Sequence, residues 1–201
     1  MMNPIKIGPG GEFSLGDKNF VIEVGVAPKD HRPSTSAVFT IVKSEPYLRV
    51  YEELASGFSP RSILELGVFQ GGSYVFLDKL FKPRRMSAVD IRPKPVKALL
   101  EYISRGENRF VRFGTSLCDG EKLREIILGE LADELDLIVD DASHTYENTK
   151  ISFELLFPFL SPGAIYVIEG WSWAHLPDYQ SPEARFSNGH ALSNLLLNKL
   201  C

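Results

Sequence analysis

The feature that most constrains this chain is a glycine-containing loop between two apolar segments. The stretch Ser62–Ser73 reads Ser-Ile-Leu-Glu-Leu-Gly-Val-Phe-Gln-Gly-Gly-Ser, and the apolar segment Tyr74–Phe81 follows it. We interpret this pattern as a buried strand, a tight loop and a helix whose N-terminus faces a ligand. Such a loop favours glycine, because its backbone turns through angles that a Cβ disfavours and a ligand must approach the main chain closely.

Strands and helices alternate after this loop. The predicted strands are Ser62–Leu66, Met86–Val89, Arg109–Phe113, Leu135–Val139 and Ala164–Ile168. Because these strands are nearly all apolar, the pattern predicts an α/β fold, a Rossmann-like doubly wound and mostly parallel sheet with helices on both faces. We expect the strand order 3-2-1-4-5. Either the sheet stops at its fifth strand, or the chain is a piece of something longer.

Helical periodicity predicts four helices between and after these strands. One begins near Pro95 and places Val96, Leu99, Leu100 and Ile103 on one face. A second spans Glu121–Leu131. A third spans Thr145–Leu160 and buries Ile151, Leu155, Leu156 and Phe159. The apolar terminal segment Ala191–Leu200 is the fourth.

The first part of the chain differs from the rest. Alternation around Gly16-Asp17 predicts a hairpin within Glu12–Val24, and the polar stretch Pro28–Ser36 predicts a loop. A helix follows with its apolar side at Tyr47, Val50, Tyr51 and Leu54. We therefore divide the chain into an extension, residues 1–45, that serves as a cap or oligomer arm, and a cofactor-binding domain, residues 46–201.

Composition excludes several function classes. The net charge of −4 and the lack of a basic stripe argue against a nucleic-acid partner. No apolar run of membrane-spanning length and no apolar signal core is present. Cys118 and Cys201 are too few for a disulfide framework or a zinc site. These observations predict a cytoplasmic protein with free thiols and a small-molecule substrate; a homo-oligomer stays open.

Two cofactor classes require an acid about 20 residues after such a loop. Asp90 follows Gly67 by 23 positions (90 − 67). A nicotinamide dinucleotide requires Gly-x-Gly-x-x-Gly, whereas this loop reads Gly67-Val-Phe-Gln-Gly71. S-adenosylmethionine has no phosphate and requires a sharp turn, polar groups for its amino-acid end and an acid for its ribose. The loop therefore favours S-adenosylmethionine.

The same residues resemble a known family. The segments Glu65–Ser73 and Val89–Ile91 resemble class I S-adenosylmethionine-dependent methyltransferases. The segments Val139–His144 and Phe157–Gly170 resemble the macrocin and mycinamicin-type sugar O-methyltransferases and the related cephalosporin-hydroxylase-like group. The resemblance covers roughly residues 60–170 and implies a set of cofactor-binding residues: Glu65, Gly67, Gln70, Gly71, Ser73, Asp90, Thr115, Ser116 and Asp140.

Structural roles stay open for several of these residues. Glu65 is equally well explained as a buried acid that binds backbone N–H groups of its own loop. Asp90 fits a helix cap, although its spacing favours the ribose. Thr115 and Ser116 fit ordinary loop residues. Trp171 and Trp173 fit either the wall of a sugar-stacking pocket or the core.

Three further polar residues end or follow the fourth and fifth predicted strands. Asp141, His144 and Glu169 should meet at the carboxyl edge of the sheet, beside the glycine loop. Histidine changes charge near neutral pH, so His144 is a candidate base for a hydroxyl. Two carboxylates there could hold Mg²⁺, although Asp141 also fits a helix N-cap.

The resemblance implies the same roles with one departure. In the sugar O-methyltransferases, a divalent metal is held by the second aspartate of the Asp-Asp pair and by acids at the end of strand five. Those relatives usually read Ile-Glu-Asp, whereas this chain has Gly170 in the last place. The metal is therefore weakly held, held by another residue, or absent.

These patterns predict an S-adenosylmethionine-dependent O-methyltransferase. Its expected acceptor is a hydroxyl of a small sugar-like or natural-product substrate, with or without a divalent metal. The alternative is a non-catalytic or partial methyltransferase-like domain of a larger biosynthetic protein.

Overall fold

The computed structural model describes residues 4–132, 134–179, 181–184 and 190–200. A parallel sheet of five strands forms its centre, in the order β6-β5-β4-β7-β8. In sequence order this is 3-2-1-4-5, so the predicted fold class is confirmed. The strands are β4 (Ser62–Leu66), β5 (Arg85–Asp90), β6 (Arg109–Phe113), β7 (Leu137–Asp140) and β8 (Ile165–Ile168).

Helices cover both faces of this sheet. Helices α1, α2 and α3 pack on one face, with Leu48, Tyr74 and Leu99 in its core. Helices α4 and α5 pack on the other face, with Leu123 and Leu156 in its core. No helix in the described ranges has the length and hydropathy needed to cross a bilayer. The helices are α1 (Glu45–Gly57), α2 (Gly72–Phe81), α3 (Lys97–Ile103), α4 (Gly120–Gly129), α5 (Tyr146–Leu156) and α6 (Ser193–Leu200).

A second, three-stranded sheet precedes α1. The predicted hairpin is present as β1 (Glu12–Leu15) and β2 (Lys18–Ile22), joined at Gly16-Asp17. A third strand, β3 (Val38–Ile41), pairs in parallel with β2 and was not predicted. Its residues join the core on the α2 face, where the phenyl rings of β1, β2 and β3 cluster with the one from α2: Phe13, Phe20, Phe39 and Phe76.

Close backbone packing holds β3 against the start of α2. A Cβ on Gly72 would collide with the carbonyl group of Thr40, so only glycine fits there. This glycine therefore serves contact within the chain. The contact brings residues 40–43 to the carboxyl edge of the large sheet.

The predicted apolar helix faces are only partly buried. Val50, Leu100 and Ile151 lie on those faces, but they are 64%, 40% and 41% exposed. In α1 the inward residues are Leu48 and Tyr51. Each of these helices packs on one side only, and the apolar residues at the margin of the stripe remain in solvent.

Candidate active site

A cavity of about 530 Å³ lies at the carboxyl end of the parallel sheet. Its walls are the loop between β4 and α2, the residues after β3, and the segments after β5, β6 and β7. Pockets that hold cofactor-sized molecules have about this volume, roughly 300–1,000 Å³. Seven of the predicted residues line it: Gly67, Gln70, Ser73, Asp90, Thr115, Ser116 and Asp141. Five others do not: Glu65, Gly71, Asp140, His144 and Glu169.

The N-terminal extension forms part of this cavity. Thr40, Val42 and Lys43, which lie in and just after β3, line it. The backbone N–H of Ser34 donates to the side-chain oxygen of Gln70 at 3.4 Å. Residues 1–45 therefore contribute to the site as well as to the fold.

Asp90 holds the glycine loop in place. Its Oδ2 accepts hydrogen bonds from the backbone N–H groups of Val68 and Phe69, each at 3.0 Å. Although burial alone raises the pKa of Asp90, hydrogen bonds from Arg92 and Val68 outweigh burial and lower that pKa. The charged carboxylate thus fixes the turn that follows β4.

Arg92 is a neighbour of this acid that sequence reasoning missed. Its guanidinium donates to both carboxylate oxygens of Asp90, at 3.0 and 2.8 Å. The Arg92 side chain is 43% exposed and lies over the ring of Phe69. A ribose hydroxyl that bound Asp90 would compete with this guanidinium. Two basic residues within five positions of Asp90, Arg92 and Lys94, are the sequence signal that was available.

Glu65 is buried on the α2 face without a hydrogen bond. Neither of its carboxylate oxygens has a partner, and the hydroxyl of the adjacent Ser73 has none either. Burial raises the pKa of Glu65 to about 8, against the opposing charge of Lys43. The expectation that Glu65 binds N–H groups of its own loop is therefore wrong. Buried polar atoms without partners are rare and indicate room for a polar ligand group.

Lys43 is the main site residue that the sequence did not reveal. Its Nζ lies 2.7 Å from Oδ2 of Asp141 and 2.6 Å from Oε2 of Glu169, and its side chain is 1% exposed. The hydroxyl of Tyr51 donates to the other oxygen of Glu169. Burial by itself lowers the pKa of Lys43. The carboxyl groups of Asp141, Glu169 and Glu65 raise that pKa by more than burial lowers it, so the ammonium stays charged.

The carboxyl groups around Lys43 outnumber its single ammonium. One ammonium faces three carboxyl groups, those of Glu65, Asp141 and Glu169. Burial, opposed by Lys43, raises the pKa of Glu169 as well. Of these three carboxyl groups, that of Asp141 belongs to a residue that lines the cavity.

His144 lies at the edge of the cavity beside Asp141. Its Nδ1 is 3.3 Å from the backbone carbonyl of Glu169, which can only accept, so Nδ1 donates to that carbonyl. Its Nε2 lies 3.6 Å from Oδ1 of Asp141. The indole N–H of Trp173 donates to the carbonyl oxygen of His144 at 2.8 Å. Trp173 is buried, so of the two alternatives left for it the structure favours the core.

Gly170 makes room for this imidazole. A Cβ at position 170 would lie 2.5 Å from Nδ1 of His144, and the backbone there has a φ of +61°. The glycine that replaces the expected aspartate is thus explained by packing and backbone conformation.

Three predicted residues have surroundings different from those expected. Asp140 was predicted to bind cofactor, but its carboxylate accepts from Ser152 at 2.8 Å and from Tyr166 at 3.2 Å, within the core on the α5 face. Gly71 packs against Leu99 outside the cavity. Asp141 does not cap α5, because the N-cap is Thr145.

The arrangement does not fit a divalent metal at Asp141 and Glu169. The ammonium of Lys43 lies between these carboxylates at hydrogen-bond distance from each. No group of three His, Cys, Asp or Glu side chains suitable for a metal occurs among the described residues. We therefore derive no step through a metal.

Comparison with known proteins identifies the family. The model of a family described as a methyltransferase domain matches residues 64–170, more than half of the chain. The chain belongs to this methyltransferase family. The predicted resemblance to sugar O-methyltransferases is also confirmed by the relatives described next.

Two curated relatives are O-methyltransferases by name. The 8-demethyl-8-alpha-L-rhamnosyl tetracenomycin-C 2'-O-methyltransferase of Streptomyces olivaceus is 27% identical over 143 residues, which cover 67% of this chain and 35% of that protein. Demethylmacrocin O-methyltransferase of Streptomyces fradiae is 43% identical over 44 residues, which cover 22% of this chain and 11% of that protein. The chain spans about a third of the first relative's length.

Solved structures agree with the fold. The MycE methyltransferase from mycinamycin biosynthesis, in complex with Mg, SAH and mycinamycin VI, is 27% identical with a TM-score of 0.52. The match covers 77% of this chain and 41% of that one. An O-methyltransferase from Bacillus cereus in complex with SAH has a TM-score of 0.60 at 20% identity, with 78% and 70% covered, and shows the fold alone.

Proposed function

We propose that this chain binds S-adenosylmethionine in the cavity and transfers its methyl group to a hydroxyl of a sugar-like or natural-product acceptor. The observation that carries the proposal is that the glycine loop, Asp90 and Asp141 line one cavity, with the imidazole of His144 beside Asp141. We assign the part of the cavity next to Asp90 to the nucleoside and the part next to Asp141 to a hydroxyl that must lose a proton.

The chain's own residues suit this cofactor. S-adenosylmethionine supplies an electrophilic methyl group on a sulfonium, together with a cationic amino group. Asp141 lines the cavity, and its carboxylate attracts such positive charge. Asp90 accepts hydrogen bonds from ribose hydroxyls once the exposed Arg92 side chain moves aside. Thr115 and Ser116 border the part of the cavity next to Asp90, where we expect the adenine of the cofactor.

His144 is the proposed base. Its Nδ1–H is directed to the Glu169 carbonyl, so Nε2 is available to take the proton of an acceptor hydroxyl. The carboxylate of Asp141, 3.6 Å from Nε2, then stabilises the imidazolium that forms. Holding the acceptor in line supplies much of the acceleration, on the order of 7–11 kcal/mol in favourable cases.

The acceptor class follows from the relatives together with the site. The relatives' names describe methylation of sugar hydroxyls on polyketides. The mouth of the cavity next to the β7–α5 segment offers polar side chains from Ser143, Thr145 and Asn148, which suit a polyhydroxylated acceptor.

We place the protein in the cytoplasm, where the free thiol of Cys118 stays reduced; Cys201 lies outside the described residues.

The test is transfer of a radiolabelled methyl group from S-adenosylmethionine to a panel of rhamnosylated polyketides and simple rhamnosides. We expect labelled ether product with the native chain and a loss of about 10²–10⁴-fold in the His144→Ala variant, with cofactor affinity retained. Equal loss of cofactor binding and transfer in that variant would contradict the assignment of a base.

One alternative retains support. Because the chain spans about a third of its first curated relative, it could be a cofactor-binding module of a larger biosynthetic protein. That alternative predicts S-adenosylmethionine binding without methyl transfer to any free acceptor, and transfer only when the partner domain is added.

A further inference from the structure

We propose that the ammonium of Lys43 takes the place of the divalent cation that the family resemblance implies, so that this centre works without a bound metal. The inference rests on the proposed function, because it concerns the cation of the same site. It departs from the expectation that Asp141 and Glu169 hold Mg²⁺.

The first observation is that both carboxylates already bind the ammonium of Lys43. Lys43 donates to Asp141 and Glu169 at 2.7 and 2.6 Å, and Tyr51 donates to the second oxygen of Glu169. Glu169 therefore has a partner on each oxygen. A metal that used these oxygens would have to displace the buried ammonium and the phenol together.

The second observation is how firmly the lysine is placed. Its side chain is 1% exposed, so the ammonium is held inside the fold at the inner wall of the cavity. Its backbone follows β3 directly, and β3 is fixed by its register with β2 and by contact of Thr40 with Gly72. A divalent cation within a few Å of this charge would be strongly repelled in so dry a place.

The third observation concerns the ligand that is missing. The family resemblance implies an acid at position 170, where this chain has Gly170, and a side chain there would collide with the ring of His144. In this chain, Gly170 leaves room for the imidazole of His144. The segment after β3 places the ammonium of Lys43 beside the carboxylates of Asp141 and Glu169. Asp141 and Glu169 each already contact the ammonium of Lys43, and no carboxylate stands at position 170 to complete a metal site.

The ammonium of Lys43 also has an N–H donor left for the methyl acceptor. It has three N–H donors, two of which are used by Asp141 and Glu169. Lys43 also lines the cavity, so the remaining donor can orient the acceptor oxygen. It holds Asp141 beside His144, which a hydrated metal would otherwise do.

The wild-type protein alone decides the question. Free Mn²⁺ is titrated into the native chain and followed by electron paramagnetic resonance, with S-adenosylmethionine binding measured by calorimetry on the same sample. We expect cofactor binding, no Mn²⁺ bound at millimolar metal, and methyl transfer changed by less than about twofold by EDTA or Mg²⁺. Stoichiometric Mn²⁺ binding, or loss of transfer with EDTA, overturns the inference. Absence of cofactor binding overturns the proposed function instead.

Variants distinguish replacement of a metal ion by Lys43 from a purely structural role of this lysine. Lys43→Ala frees the two carboxylates, so it should gain Mn²⁺ binding and lose about a hundredfold in transfer, with part of that loss recovered by added Mg²⁺. Lys79→Ala removes a partly exposed ion pair with Asp17 and should change neither readout. If Lys43→Ala does not fold, the double variant Lys43→Met with Glu169→Gln removes the charges together; we expect it to fold without binding Mn²⁺. A folded Lys43→Ala variant that binds no Mn²⁺ contradicts the replacement.

Discussion

Trp173 donates a hydrogen bond from its indole N–H to the backbone carbonyl of His144, although 29 residues separate them. The bond links the segment after β8 to the turn after β7, where His144 has a φ of +56°. Left-handed backbone is unfavourable for a residue with a side chain, so the turn depends on such contacts.

The Trp173→Phe variant should therefore slow methyl transfer and spare cofactor binding. One hydrogen bond of this kind contributes about 1 kcal/mol, which corresponds to roughly a fivefold decrease in kcat. Steady-state kinetics and calorimetry measure the two quantities. Trp171→Phe is the control, because Trp171 is 42% exposed and should leave both unchanged. A larger effect at Trp171 than at Trp173 would contradict the positioning role.

Gly170→Ala tests the packing of the imidazole. Its Cβ would press on His144, so we expect a loss of unfolding free energy of about 2 kcal/mol or more and a much lower kcat. Gly163→Ala is a matched control, because Gly163 also has a positive φ, +83°, but has nothing within 4 Å of a Cβ. It should lose only about 1 kcal/mol and retain activity. Chemical denaturation and kinetics of both variants measure the difference, and equal behaviour would remove the packing argument.

Gly72→Ala tests the docking of the N-terminal sheet on α2. The added methyl group would collide with the Thr40 carbonyl, and neither backbone can yield easily, so about 3 kcal/mol or more of unfolding free energy should be lost. Gly129→Ala, in α4 with open space around it, should instead gain up to about 1 kcal/mol. Urea denaturation compares them; a mild effect at Gly72 would mean that β3 is not held as described.

The lowered pKa of Asp90 predicts that the fold loses stability in acid. Its folded-state pKa lies below the ordinary value of 3.8, so the ionised carboxylate stabilises the fold above that pH. The contribution disappears as the pH falls through the lower folded-state pKa. The gap in unfolding free energy between the native chain and Asp90→Asn should therefore be constant near neutrality and shrink below pH about 4. A gap that widens on acidification would show the opposite sign of shift.

The order of the large sheet could be predicted because each strand is a short apolar run between turn residues. The glycine loop, Asp90 and Asp141 also followed from the rule that ligands bind at the carboxyl ends of strands. The family model matches residues 64–170, the region that contains all of them.

The parts that were missed have physical reasons. β3 pairs in parallel with β2 across a long polar loop, and no local pattern predicts such pairing. The apolar run Ala37–Val42 followed by Lys43 was nevertheless a strand signal that ended in a cation. Asp140 was misassigned although side chains alternate along a strand: it shares a face with Ile138, which packs in the α4 and α5 core.

Calorimetric titration of S-adenosylmethionine into the native chain and into Asp90→Asn tests the central claim most directly. The account predicts one cofactor per chain for the native protein and clearly weaker binding for the variant, with NAD⁺ bound by neither. No heat of binding at millimolar S-adenosylmethionine, or equal affinity in both proteins, would contradict the placement of the nucleoside on the loop that follows β4.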